Sequence, residues 1–282
     1  MWHTGLTVLA VCAVTYLLKK FNPNGPNYIR YHFNYSIYYL VTLVFCGCIW
    51  PCFLFRPKNV TNAKFAARII KHVTKIIGVQ WLLRNGEVLA EDRGAVIISN
   101  HQNTLDVLGM MNIWEVIDKL AAIAKKELFY LWPFGLSAYL AGTVFIDRNN
   151  GKEAYMQLQT ASEVMLKEKT KIWIFPEGTR NKDCSKLLPF KKGAFNIAVT
   201  AQVPIIPVVF SPYYFVNSNM NIFNEGHVVI KCLDPVPTKD LTLDDVPELI
   251  KQIHQAMSKA YKELSKEVLN NTPNDYSYSL KG

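Results

Sequence analysis

Between Tyr31 and Phe55 the chain runs for 25 residues without an Asp, Glu, Lys or Arg. A helix needs about 20 apolar residues to cross the hydrocarbon core of a bilayer, so this stretch is long enough to do so. Met1 to Leu18 is equally free of charge but marginal in length. A cleaved secretory signal would need basic residues ahead of the apolar run and small residues after it. None precedes it, and Lys19-Lys20-Phe21-Asn22 follows, so the segment reads as an uncleaved anchor. The two segments are joined through Asn22-Pro-Asn-Gly-Pro26, a strong turn signal.

Charge is distributed just as unevenly. Ten of the 31 basic residues fall in Met1–Gly86, which has no Asp or Glu, leaving 21 basic and 22 acidic residues for the rest. The formal net charge of +9 therefore belongs to the hydrophobic N-terminal third. A nucleic-acid binder would spread basic and aromatic residues over a folded reading surface. Basic residues flanking apolar segments instead fit an anionic membrane leaflet. Lys19, Lys20 and Arg30 precede the second segment, and Arg56, Lys58 and Lys64 follow it. A simple crossing would put one cluster on the wrong side, whereas a re-entrant segment bent near Pro51 keeps both cytoplasmic. Asn62–Val79 then reads as an amphipathic helix with Phe65, Ile69, Val73 and Ile76 on one face. Of the six cysteines, Cys12, Cys46, Cys48 and Cys52 sit in the apolar segments, and Cys46-Gly-Cys48 lacks a second ligand pair, which argues against zinc.

From Val79 onward strand-like and helix-like segments alternate. Strands are expected at 79–83, 95–99, 121–124, 143–146, 172–175, 205–210 and 228–232. Helices are expected at 104–114, 128–140, 152–167, 194–201 and 246–268. The pattern predicts an α/β domain with a mixed, largely parallel sheet flanked by helices, behind an N-terminal hydrophobic helical membrane anchor. The expected division is anchor 1–58, catalytic domain 59–269 and disordered tail 270–282. The charge-free run Leu128–Ile146 joins motif-bearing segments and is read as a buried or membrane-dipping helix rather than a third crossing.

Two short motifs carry chemistry. His101-Gln-Asn-Thr-Leu-Asp106 follows the buried strand 95–99. Five residues swing about 140° around an ideal helix, so His101 and Asp106 meet only if the histidine sits in the loop and the aspartate in the first turn, with Asn103 as N-cap. Asp106 can then accept the Nδ1 proton and leave Nε2 as a general base. Phe175-Pro-Glu-Gly-Thr-Arg180 closes strand 172–175. Gly178 permits a sharp turn whose backbone amides can bind an anion, and Arg180 can grip a phosphate bidentately. Glu177 has two readings: hydrogen-bonding a ligand hydroxyl, or pairing with Arg180.

These motifs, with Phe145-Ile-Asp-Arg148 and Val203-Pro-Ile-Ile-Pro207, resemble the four ordered blocks of the glycerolipid acyltransferases, and most of all the 1-acylglycerol-3-phosphate O-acyltransferase (lysophosphatidic acid acyltransferase) family. Ile123-Ala-Lys-Lys-Glu-Leu128 and Leu188-Pro-Phe-Lys-Lys-Gly-Ala-Phe195 resemble it too, and the similarity runs from about Asn59 to Lys262. The resemblance implies a membrane-bound enzyme that moves a fatty acyl group from acyl-CoA to the sn-2 hydroxyl of lysophosphatidic acid, giving phosphatidic acid. It implies His101 as general base and Asp106 as its orienter. Glu177, Gly178, Thr179 and Arg180 would bind substrate, with Lys125 and Arg148 as weaker candidates. The partners would be acyl-CoA, lysophosphatidic acid and the bilayer; no cofactor is needed, since acyl-CoA is a co-substrate, and neither metal nor nucleic acid is expected. The implied location is the endoplasmic reticulum membrane with the catalytic domain cytosolic. Rival readings are a glycerol-3-phosphate or other lysophospholipid acyltransferase and, more distantly, an acyl-CoA hydrolase or an inert membrane scaffold. The chain has no Gly-x-Ser-x-Gly elbow, which disfavours a serine lipase.

Overall fold

The computed structural model describes residues 27–147, 165–181 and 184–270, with Ala13, Leu17 and Glu163. The first apolar segment, the tail beyond 270 and most of the helix expected at 152–167 lie outside the described residues. Strands β1 (Val79–Arg84), β2 (Ala95–Ser99), β3 (Leu120–Lys125), β4 (Val144–Ile146), β5 (Lys171–Ile174), β6 (Ile205–Phe210) and β9 (Gly226–Cys232) form one sheet in the order β1-β9-β6-β2-β5-β3-β4. A small hairpin, β7 (Val216–Asn217) and β8 (Ile222–Phe223), precedes β9. Neighbours are parallel except β6 and β9. Five adjacent strands, β6 to β4, therefore deliver their C-terminal ends to one edge, where α/β sheets place ligands.

β2 and β6 are buried along their whole length. That explains their uninterrupted apolar sequences, since both faces of a central parallel strand are covered. Helix α4 (Leu105–Ile117) lies close on the sheet through Gly109, where a methyl group would come within 2.5 Å of the Trp81 ring and 2.9 Å of Phe210. After α6 (Gly193–Ala201), the long helix α7 (Val246–Asn270) buries Leu249, Ile253, Met257, Tyr261, Leu264 and Val268, a helical stripe laid against β6 and β9.

The charge-free segment folds as helix α1 (Tyr28–Phe53), capped by Asn27, whose side chain accepts from the Arg30 amide. Among the described residues it is the one helix long and apolar enough to cross a membrane. Its N-terminal half is nevertheless tied to the sheet domain. Arg30 donates to the Asn224 side chain and Asn34 to the Phe223 carbonyl. Tyr35 bonds Asn103, and Tyr38 donates to the Thr104 carbonyl. Further along, the Ser137 hydroxyl donates to the Cys46 carbonyl.

Two helices differ from the sequence expectation. The helix read at 62–79 is broken into α2 (Val60–Ile70) and α3 (Val73–Ile77). The helix read at 128–140 is a 3₁₀ turn at Lys126–Tyr130 followed by α5 (Phe134–Leu140). Pro133 accounts for the second break: lacking an N–H, it starts a helix well and continues one poorly.

Candidate active site

β2 ends at Ser99, and the Asn100 side chain continues its pairing. It donates to the Phe210 carbonyl (3.1 Å) and accepts from the Phe210 amide (2.8 Å), so the sheet fixes where the chain departs towards His101. His101 lies in the loop and Asp106 in the first turn of α4. The Asp106 carboxylate folds back, as the acidic partner of a capping box does, and takes the amides of Gln102 (2.6 Å) and Asn103 (3.0 Å) on Oδ2. That same oxygen lies 2.5 Å from His101 Nδ1. Asp106 is wholly buried, and its Oδ1 accepts from the Tyr213 hydroxyl. Four donors thus surround one carboxylate, which keeps a buried negative charge affordable and assigns Nδ1 the proton. The imidazole stacks on Phe175 with centroids 4.1 Å apart and planes 18° from parallel. The side chain stays about one-fifth exposed, and among the described residues no group hydrogen-bonds Nε2.

Because β2 and β5 are parallel neighbours, the second motif leaves the same edge beside the first. Glu177 joins the two loops. The residue is 3% exposed, and its carboxylate accepts from the His101 amide (2.9 Å) and the Leu188 amide (3.2 Å), while the Asn181 amide donates to the His101 carbonyl (2.7 Å). Its oxygens therefore face backbone amides, not Arg180 or an open cleft. Burial pushes its carboxyl up to about 7, against the opposing pull of those two amides.

With the folded pKa near 7 and the unfolded one at about 4.3, the folded state holds the extra proton between them. The corresponding stability is full below the lower value and is lost as pH rises through the higher one. Urea titrations of the wild type between pH 4.5 and 8 are expected to show this decline, and Glu177→Gln to flatten it. The same variant turns an amide –NH2 towards one of the two backbone donors, so it should cost about 1–3 kcal/mol at pH 5.

Thr179 and Arg180 are exposed, and among the described residues no carboxylate pairs with Arg180. Gly178, at φ +69°, makes the turn, but its own N–H donates to the Phe175 carbonyl (3.1 Å). Lys125 ends β3 on the same sheet edge and pairs with Glu127 (2.8 Å), while Lys126 pairs with Asp147 (3.2 Å). Arg148 lies outside the described residues.

Two residues of this neighbourhood carry no short motif. Tyr213 reaches Asp106 across 107 positions, and Tyr261 of α7 donates to the Cys184 carbonyl (2.7 Å) and the Gln102 side chain (3.4 Å). The one available signal for Tyr213 is an aromatic with a polar tip just past the end of β6, where a buried hydroxyl needs a partner.

A family model described as Acyltransferase matches residues 80–211. The human 1-acyl-sn-glycerol-3-phosphate acyltransferase beta is 40% identical over 210 residues, 74% of each chain. The human alpha protein of that name is 36% identical over 237 residues, 84% of this chain and 83% of its own. The crystal structure of the 1-acyl-sn-glycerophosphate (LPA) acyltransferase PlsC from Thermotoga maritima superposes with a TM-score of 0.61 at 23% identity, covering 83% of this chain and 97% of that one, a likeness of fold. With the dyad and the Glu-Gly-Thr-Arg turn set on adjacent strands inside the matched region, the chain belongs to the 1-acyl-sn-glycerol-3-phosphate acyltransferase family.

Proposed function

We propose that the chain transfers a fatty acyl group from acyl-CoA to the sn-2 hydroxyl of 1-acylglycerol-3-phosphate, yielding phosphatidic acid and free CoA. The observation that carries this reading is the His101–Asp106 pair, latched through Glu177 to the turn that bears Arg180. His101 Nε2 removes the hydroxyl proton as the oxygen attacks the thioester carbonyl, and Asp106 stabilises the imidazolium that forms. The tetrahedral intermediate collapses with loss of the CoA thiolate, which needs no strong general acid. His101 then returns to the neutral form by giving up its proton. Arg180 holds the acceptor's phosphate, with Lys125 at the end of β3 as a further cation and Arg148 a further candidate from its motif. The balance needs no cofactor, acyl-CoA being consumed as a co-substrate.

The same reading makes the enzyme a membrane protein of the endoplasmic reticulum with its catalytic domain cytosolic. Support comes from α1. After Tyr39, whose hydroxyl is the last on α1 to reach the catalytic loop, about 14 residues or roughly 21 Å of helix remain, less than the roughly 30 Å hydrocarbon core. A helix that dips and stays on one side keeps both basic flanks on one face. Leu40, Leu43 and Val44 are exposed on it, Phe55 just beyond its end, and the adjoining turn exposes Tyr130, Leu131 and Trp132, together offering an apolar surface to lipid.

The decisive experiment supplies purified protein with labelled acyl-CoA and a panel of acceptors: lysophosphatidic acid, glycerol 3-phosphate, other lysophospholipids and water. Labelled phosphatidic acid as the main product is expected; free fatty acid alone would point to a hydrolase instead. Arg180→Ala should raise KM for lysophosphatidic acid by about tenfold or more with a smaller effect on kcat, and an unchanged KM would remove the phosphate assignment.

A further inference from the structure

We propose that Lys191 is a second cation of the acceptor site, placed over the Gly178 turn so that the enzyme selects a phosphate monoester over a phosphodiester. This rests on the proposed reaction and adds a residue that sets its preference for that headgroup.

The segment bearing Lys191 is fastened to the turn at two points. The Leu188 amide donates to Glu177 Oε2 (3.2 Å), and the Lys191 amide donates to the Pro176 carbonyl (2.8 Å). The side chain then lies across Gly178: a methyl group there would come within 2.9 Å of Lys191 Cε and 3.0 Å of both Cδ and Nζ. Gly178 thus serves twice, supplying a positive φ and leaving room for the lysine stem. Arg180 stands two residues further along the same turn.

Among the described residues no carboxylate pairs with Lys191 or Arg180, and the two acids of the site are committed elsewhere: Asp106 to His101, Gln102, Asn103 and Tyr213, and Glu177 to the two backbone amides. Two like charges held on one turn repel each other unless an anion sits between them. A phosphate monoester carries a charge of about −1.5 to −2 near neutral pH and three free oxygens. An Arg fork and a Lys point charge together match that dianion, whereas a phosphodiester brings one charge and two free oxygens.

The test compares wild type, Lys191→Gln and Lys191→Arg with lysophosphatidic acid and a lysophosphodiester such as lysophosphatidylcholine, at saturating acyl-CoA. Lys191→Gln is expected to raise KM for lysophosphatidic acid about tenfold, the equivalent of one charge-assisted contact, and to narrow the preference over the diester. Lys191→Arg, which keeps the charge, should recover most of the loss, and KM for acyl-CoA should not move. Affinity for lysophosphatidic acid measured in the His101→Ala background should fall by the same factor on adding Lys191→Gln, a readout that needs no turnover. An unchanged acceptor KM overturns the assignment, and so does a rise confined to acyl-CoA, which would mean the lysine serves the donor's phosphates. If wild type makes no phosphatidic acid, the proposed reaction itself has failed; if it does and Lys191→Gln matches it, only this inference has.

Discussion

His101→Ala is expected to lower kcat by about 10²- to 10⁴-fold, the range that a positioned general base supplies, while leaving a folded protein that still associates with vesicles. The fold should survive because the imidazole is only one of four donors to Asp106. With the ring removed, the carboxylate keeps the amides of Gln102 and Asn103 and the Tyr213 hydroxyl. Phe175 loses one stacking partner on a partly exposed face. Circular dichroism and a urea midpoint near that of wild type would establish folding, and product formation from labelled acyl-CoA would measure turnover. A folded variant with near-normal turnover would mean that another group removes the proton, and the reaction proposed above would lose its base.

What the sequence could reveal follows from how local each signal is. β2 and β6 were legible because five or six consecutive buried residues write themselves as an unbroken apolar run. The two motifs were legible because each is contiguous, and their meeting followed from parallel neighbouring strands sharing an edge. Glu177 was not legible in the same way. Its partners are backbone amides 76 and 11 positions away, and an amide leaves no trace in residue identity. The docking of α1 was hidden by averaging. Mean hydropathy sees an apolar segment, yet Arg30, Asn34 and Tyr38 recur every four residues and form one polar stripe that faces the sheet domain. The hairpin β7–β8 has strands of two residues each, too short for any period to register.

Asp106 offers the sharper dissection, because its two roles, structural and electrostatic, separate by substitution. In Asp106→Asn the single side-chain oxygen should take the Oδ2 position, where three donors converge, leaving the –NH2 to face Tyr213. A hydroxyl can rotate to accept as readily as to donate, so that side of the site is satisfied. The fold and the Nδ1–H tautomer are then retained, and only the negative charge behind the imidazolium is lost. The expected result is a fall in kcat of about a hundredfold or more with a nearly unchanged urea midpoint. Asp106→Ala should behave differently. It strands the Gln102 and Asn103 amides and the Tyr213 hydroxyl without their acceptor, at about 1–3 kcal/mol for each one left unsatisfied. That variant should lose stability as well as activity. Tyr213→Phe removes only the Oδ1 contact and should lie between wild type and Asp106→Asn in turnover. If Asp106→Asn instead unfolds like Asp106→Ala, the carboxylate's main work is to hold the loop, and the charge behind His101 matters less than its position.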